Sequence, residues 1–463
     1  MAGIVGIMGG NSIEVLKNSL LKISHRGQYS EKIVTGSNVV MAGNWQEIET
    51  GLQTTPFQSF CVWDGFVPEQ PSPSKIKNWE QPFAVAAILQ DQLFLARDPL
   101  GTKPLYYGQT EAGLVFASEV KALLPLTKQI FEFPPSHWYT PNAGFNVYYQ
   151  LKSEKMPCDD PTQIVDKLRE KLEKAVEQCC LNDEMGIWLS GGVDSSVIAA
   201  LAMKYVKKLQ SFVSGLEGAA DILYGTQLAE HFGIKHHIIK VTLSDLIYAL
   251  PEVIYYLESF DALLVRSSIT NYLTSKVAAD YVGGIFSGEG GDELFAGYDY
   301  IKALPLDEVP QELEDIVMRL HNTALQRVDR SSQANGLVAF TPFTNMDIVE
   351  YALKIPATYK LMQHGNEKIE KWILRKVVEG FIPDNVLWRK KAKFWQGAGV
   401  GELLAEHAEG NISESDFQRE RTLPNGWKLN SKEELMYYRI FKEHFGELEN
   451  LDWMGRTKGS PVQ

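Results

Sequence analysis

Short apolar runs separated by glycine, proline and aspartate breaks mark the first third of the chain: Gly3-Ile4-Val5-Gly6-Ile7, Phe83-Ala84-Val85-Ala86-Ala87-Ile88, Leu93-Phe94-Leu95-Ala96 and Leu114-Val115-Phe116-Ala117. Runs of this length bounded by turn formers predict β-strands, and together a small sandwich of sheets over residues 1–155. The pattern then changes. Pro157 to Pro161, enclosing Cys158, Asp159 and Asp160, reads as a linker, and Ile164, Val165, Leu168, Leu172 and Val176 recur at the spacing of one helical face. From Gly186-Ile187-Trp188-Leu189 onward strand-like and helix-like stretches alternate, with Leu209 to Ser214 and Gly283 to Phe286 as further strands and Ile238-Ile239 as another apolar strand preceded by His236 and His237. That alternation predicts a parallel sheet covered on both faces within residues 160–463, ending in a mostly helical C-terminal part.

Where the first strand of that second region ends, Leu189-Ser190-Gly191-Gly192-Val193-Asp194-Ser195-Ser196 breaks into a glycine turn opening toward a helix. Backbone N–H groups, three hydroxyls and the positive end of a helix dipole converge there, which suits a phosphate chain. Asp194 would repel a phosphate directly, but it suits a Mg²⁺ ion accompanying a nucleotide. A second turn, Ser287-Gly288-Glu289-Gly290-Gly291-Asp292-Glu293, follows another predicted strand and should reach the same rim of the sheet. Asp292 is then a second Mg²⁺ ligand, and Glu289 a candidate base or orienting group beside a reacting carboxylate. A solvated acidic loop is the plain alternative. Further on, Trp388-Arg389-Lys390-Lys391-Ala392-Lys393 is a basic cluster, of use where charge develops on a departing pyrophosphate.

Composition narrows the field. With 463 residues, 44% hydrophobic and 22% charged, the chain reads as a globular protein of two or three domains. A formal charge of −13 argues against wrapping a nucleic acid and favours small charged substrates. No apolar run is long enough to span a bilayer and the start lacks the basic flank of a signal peptide, so a cytoplasmic location without membrane attachment is expected. Cys61, Cys158, Cys179 and Cys180 lack metal-type or disulfide-type spacing. His25, His236, His237, Tyr106, Tyr107, Trp45, Trp63 and Trp79 read as structural or packing residues.

Taken together, Ala2-Gly3-Ile4-Val5-Gly6-Ile7, His25-Arg26-Gly27, Ala96-Arg97-Asp98-Pro99-Leu100-Gly101-Thr102-Lys103-Pro104-Leu105-Tyr106-Tyr107, the two glycine turns and Trp388-Arg389-Lys390-Lys391 resemble the glutamine-dependent asparagine synthetase family, in order along nearly the whole chain. The resemblance implies an α/β protein. Its N-terminal part would be an Ntn-hydrolase-like αββα sandwich and its C-terminal part an ATP-pyrophosphatase, adenine nucleotide alpha-hydrolase-like, parallel-sheet domain. It also implies an ATP-dependent ligase that adenylates a carboxylic acid, releases pyrophosphate and passes ammonia or a small amine to the acyl group, with ATP and Mg²⁺ as cofactors. Leu189, Ser190, Gly191, Gly192, Asp194, Ser195, Ser196, Ser214, Ser287 and Gly288 become the expected ATP and pyrophosphate contacts, Asp194 and Asp292 the metal ligands, and Glu289 and Lys391 the catalytic pair. Asp221 resembles a further acid on the nucleotide side. Glu289 stands where β-lactam-forming relatives carry tyrosine, which favours an amide formed between two molecules over ring closure. The resemblance is compatible with a homodimer.

The pattern breaks in two places. The family's glutaminase uses a cysteine at position 2, and this chain has Ala2; the span between Gly27 and Trp79 also lacks the family's arginine-containing and Gly-Glu-Ile-Tyr-Asn glutamine-binding segments. An inactive, structural glutaminase-like domain over residues 1–155 is therefore expected, with an engineered cysteine replacement as the alternative. On the acid side, Leu263-Leu264 precedes Val265-Arg266 where asparagine-forming members carry threonines, and Val338-Ala339-Phe340-Thr341-Pro342-Phe343-Thr344-Asn345 has lost an arginine and two acids. Leu263, Leu264, Arg266 and Asn345 are then the candidate acid pocket, and the acceptor is expected not to be aspartate. A true asparagine synthetase and a catalytically silent regulator or scaffold remain the competing readings.

Overall fold

The computed structural model describes residues 2–10, 12–27, 30–45, 60–151, 156, 160–389 and 398–457. Lys391 and Cys158 lie outside these residues, as do residues 157–159 of the expected linker.

Period-two alternation builds the N-terminal part. β1 (Ala2–Met8), β2 (Ser30–Thr35), β3 (Val39–Trp45), β7 (Tyr106–Gln109), β8 (Leu114–Ala117) and β9 (Ile130–Glu132) form one sheet in the order β2-β3-β1-β8-β7-β9. β4 (Cys61–Gly65), β5 (Phe83–Leu89), β6 (Gln92–Arg97), β10 (His137–Thr140) and β11 (Gly144–Val147) form a second, ordered β11-β10-β6-β5-β4. Both are antiparallel. Ile4, Met41 and Phe116 of the first sheet meet Val62, Ala86 and Leu95 of the second, and the alternate residues Val5, Val115 and Ala117 turn outward onto α1 (Ile13–Leu21). On the far side, Trp63, Val85 and Phe94 pack under α2 (Pro73–Ile76) and Trp79, so the layers run helix, sheet, sheet, helix.

Asp160 caps α3 (Pro161–Cys179) by accepting from Thr162 N at 2.9 Å, and the helix buries the stripe Ile164, Leu168, Leu172 and Val176. It leads into β12 (Glu184–Trp188), α4 (Val193–Ala202), β13 (Lys208–Gly215), α5 (Ala220–Phe232), β14 (Lys235–Lys240), α6 (Leu243–Leu257), α7 (Ala262–Ala278), β15 (Gly284–Phe286), α8 (Gly291–Leu294), α9 (Val309–Met318), α10 (Ala324–Gln333), β16 (Val338–Phe340) and α11 (Met346–Lys354). The strands make a parallel sheet ordered β14-β13-β12-β15-β16. The expectation that His236 and His237 precede a strand is corrected: both lie inside β14, at the sheet's edge. His236 Nδ1 is 2.8 Å from Ser211 Oγ, and His237 stacks on Phe212 with ring centroids 4.6 Å apart. No helix among the described residues is long and apolar enough to cross a membrane.

The outer face of the first antiparallel sheet shares one core with the C-terminal helices: Val5, Ile7 and Val40 sit in the same cluster as Phe260, Leu264, Phe441 and Trp453.

Candidate active site

β12 and β15 are neighbours in the parallel sheet, with Ile187 opposite Phe286, so the two glycine turns leave it side by side. After β12 the chain builds β13 and β14 on one side and then crosses to β15 on the other, which opens a crevice at the carboxyl ends of the strands. Glycine permits the close approach. A Cβ on Gly291 would lie 2.4 Å from Asp194 Oδ1, and one on Gly288 would lie 2.7 Å from Ser195 N. Gly191 (φ +68°) takes the left-handed backbone that the first turn needs, with Tyr224 closing on it. Among the described residues no side chain caps α4, whose N-cap is Gly192, so its first-turn N–H groups can receive a ligand.

The crevice is a cavity of about 660 Å³. Leu189, Ser190, Gly192, Asp194, Ser195, Ser214, Asp221, Leu263, Ser287, Gly288, Glu289 and Asp292 all line it. Gly191 and Ser196 do not: the Ser196 hydroxyl is buried and donates to the Gly192 carbonyl at 2.7 Å, bracing the start of α4. Three of the four expected acid-pocket residues also point elsewhere. Leu264 is in the core with its N–H on Asp261 at 2.9 Å, Arg266 forks onto Glu433 (Nε to Oε1 2.7 Å), and Asn345 caps α11 through Asp347 N at 3.0 Å and donates to Gln178 at 3.2 Å.

Between the two turns stands a residue the sequence did not single out. Lys371 Nζ lies 2.5 Å from Asp194 and pairs with Asp292 as well, so a single ammonium gathers both carboxylates. Burial alone would lower the Lys371 pKa, but Asp194 and Asp292 hold it above its ordinary value. Lys371 precedes the helix Trp372–Val377, and Arg375, one turn on, faces the same cavity. Arg389 closes this end: it donates to the Ser190 carbonyl at 2.9 Å and to Asp221 at 2.7 Å, and lies over the Tyr224 ring at 4.3 Å. Burial pushes the Asp221 carboxyl up to about 6 even with Arg389 beside it.

The other end has different chemistry. Glu289 pairs with Arg327 of α10, and Tyr298, Tyr300, Ile316, Arg319 and Thr323 complete the wall. Glu293 accepts from the Tyr298 hydroxyl at 2.5 Å; burial first, and then the charges of Glu289 and Asp292, push it up to about 7. Lys371 and Arg375, spaced one helical turn apart beside apolar residues, carried a faint sequence signal. Arg327, in a polar stretch, carried none.

The residues present fit Mg²⁺. Among the described residues no three His, Cys, Asp or Glu side chains gather to form a metal cage. Two carboxylates that converge on one cation are, however, the hard-oxygen set this ion uses when substrate phosphates and waters supply its other ligands.

The asparagine synthase family model matches residues 167–316 and 305–459, and a glutamine amidotransferase domain model matches residues 79–143. Asparagine synthetase B (glutamine-hydrolyzing) of Escherichia coli (strain K12) is 33% identical over 385 residues, covering 78% of this chain and 69% of that protein. Asparagine synthetase 2 (glutamine-hydrolyzing) of Arabidopsis thaliana is 33% identical over 381 residues, covering 77% of this chain and 65% of its own length. The chain thus spans about two thirds of the length of the curated relatives it matches. A solved NMN synthetase from Francisella tularensis overlaps 64% of the chain and 98% of its own at 13% identity and a TM-score of 0.29.

Proposed function

Because the chain belongs to the asparagine synthase family of ATP-dependent carbon–nitrogen ligases, we propose that it joins ammonia or a small amine to a carboxylic acid other than aspartate. A carboxylate oxygen attacks the α-phosphorus of ATP and the bond to the β-phosphate oxygen breaks, releasing pyrophosphate. The amine nitrogen then attacks the acyl carbon, AMP leaves, and the nitrogen loses a proton. The observation that carries this reading is the meeting of Asp194 and Asp292 on Lys371 at the uncapped start of α4.

In this reading the α4 amides and Ser190 cradle the phosphate chain, while Lys371, Arg375 and Arg389 offset charge on the departing pyrophosphate. Asp194 and Asp292 would hold Mg²⁺, which supplies charge neutralisation of the triphosphate. Glu289, paired with Arg327 at the acid end, is the candidate base or orienting group beside the reacting carboxylate. Lys391, outside the described residues, matches the family's lysine that stabilises charge on the reacting centre.

Two observations support an acceptor other than aspartate. Of the carboxylates at the acid end, Glu289 is engaged by Arg327, and burial disfavours the charge of Glu293, which accepts from Tyr298, so an ammonium group entering there meets one paired acid and one held toward its neutral form. Arg319 and Arg327, paired with Asp315 and Glu289 respectively, bring two guanidinium groups to this end beside apolar Leu263 and Ile316, which suits a second carboxylate on the acceptor. Ala2 supports an inactive glutaminase region over residues 1–155, beside a ligase over 160–463. Its N–H donates to Asp64 at 3.0 Å, its carbonyl accepts from Arg26 at 3.0 Å, and it is buried without a thiol.

The test is pyrophosphate release from Mg·ATP with ammonium and either succinate, which has aspartate's skeleton without its amine, or aspartate. Turnover with succinate above that with aspartate supports the reading. Robust turnover with aspartate overturns the altered acceptor and leaves an asparagine synthetase. Absence of pyrophosphate release with every acid overturns the ligase.

A further inference from the structure

We propose that α10 is a strut between the N-terminal sheets and the acid end of the cavity, in which the buried Arg26–Asp329 pair sets the station of Arg327 against Glu289. The acid-binding part of this rests on the function proposed above. At 3.6 residues per turn, side chains two positions apart leave a helix about 200° apart. Arg327 and Asp329 accordingly leave α10 on opposite sides. Arg327 enters the cavity and pairs with Glu289. Asp329 turns the other way and accepts from two guanidinium nitrogens of Arg26, at 2.7 and 3.0 Å. Such a two-point fork fixes rotation as well as distance.

Arg26 is itself fixed. It has no solvent exposure and donates to the Ala2 carbonyl at 3.0 Å, to Asp64 at 2.8 Å and to Glu119 at 2.8 Å. The next residue of α10, Arg330, reaches Glu119 at 2.9 Å and Glu258 at 3.1 Å, both fully buried. Burial alone would raise Glu119, but Arg330, His25 and Lys121 hold it well below the usual carboxylate range. Buried ion pairs often contribute no more stability than apolar groups of the same shape, so this cluster is a weak device for stability alone. What it supplies is orientation. A rigid path runs from position 2 through Arg26 and Asp329, across one helix, to Arg327 and Glu289. The N-terminal region, with Ala2 at position 2 in place of a cysteine, thereby bears on the ligase as the anchor of its acid pocket, and Asp329 is a positioning residue.

Full-length Asp329→Asn keeps the shape and loses the charge; Arg26→Lys keeps the charge and loses the fork. Three readouts separate the outcomes: pyrophosphate release against succinate concentration at saturating Mg·ATP with ammonium, calorimetric Mg·ATP affinity, and hydrogen exchange of residues 324–333. In both variants the half-saturating succinate concentration rises about tenfold, as small misplacements of a substrate-holding group do. Mg·ATP affinity stays as in the parent, and α10 amides exchange faster while those of α4 do not. A succinate dependence and α10 exchange equal to the parent's overturn the proposal. Should Asp329→Asn fail to fold, Arg26→Lys is read in the same way. A parent inactive with succinate counts against the acid-pocket reading alone, and the α10 exchange then decides for or against the strut.

Discussion

Lys371 does for Asp194 and Asp292 what a cation between two carboxylates does anywhere: it makes their juxtaposition tolerable before a nucleotide arrives. Its removal should matter more to chemistry than to folding, because the lost donor sits where pyrophosphate charge develops. Lys371→Ala is expected to lower pyrophosphate release by about 10²–10³-fold, read by a coupled phosphate assay. Glu293 gives a prediction in pH. Its folded pKa, about 7, lies above its ordinary value of 4.5. Its contribution to stability is therefore full below 4.5 and is lost as pH rises through 7, where the buried group must ionise. Glu293→Gln should match the parent in chemical denaturation at pH 4 and exceed it in stability at pH 8. At this scale the sequence was legible where chemistry was crowded into a short motif, as at Asp194, Asp292 and Glu289. It was not legible at Arg266, whose fate was decided by Glu433 in a helix far along the chain, nor at Arg327, which resembles any solvated cation until α10 is placed.

The working elements are two strand–turn–helix units, β12 with α4 and β15 with α8, held together by glycines that leave no room for a side chain. Gly288→Ala puts a methyl group against Ser195 N and Asp194, so it should separate the turns and abolish calorimetric Mg·ATP binding, with the thermal transition retained. These units were readable because their strands are buried on both faces and so appear as short apolar runs, each followed by Ser-Gly. β14 was harder to bound. As an edge strand it mixes exposed and half-buried positions and buries no residue fully, which is why His236 and His237 looked like a lead-in to the apolar pair Ile238-Ile239.

For the whole molecule, a sandwich of sheets followed by a parallel sheet was legible in the change of hydrophobic period near Pro161, the helix–sheet–sheet–helix layering was implied only by the family resemblance, and the joint between the two parts was legible in neither. That joint combines a continuous apolar core with a buried charge cluster whose members lie as far apart in sequence as Arg26 and Asp329, and local pattern carries no trace of such pairing. Ala2 sits inside it with both backbone polar groups in use. Restoring a thiol alone should therefore not restore a glutaminase: Ala2→Cys is expected to release no glutamate from glutamine above the parent, measured by a dehydrogenase-coupled assay. The central claim, that two turns meeting at one sheet edge grip a metal-bound triphosphate, is tested most directly by calorimetric titration of Mg·ATP into the parent and into Asp194→Asn with Asp292→Asn. Saturable binding by the parent, weakened at least about tenfold in the double variant as befits loss of two metal-binding carboxylates, is the expected result. Equal affinity in the two proteins, or no binding by the parent, would contradict it.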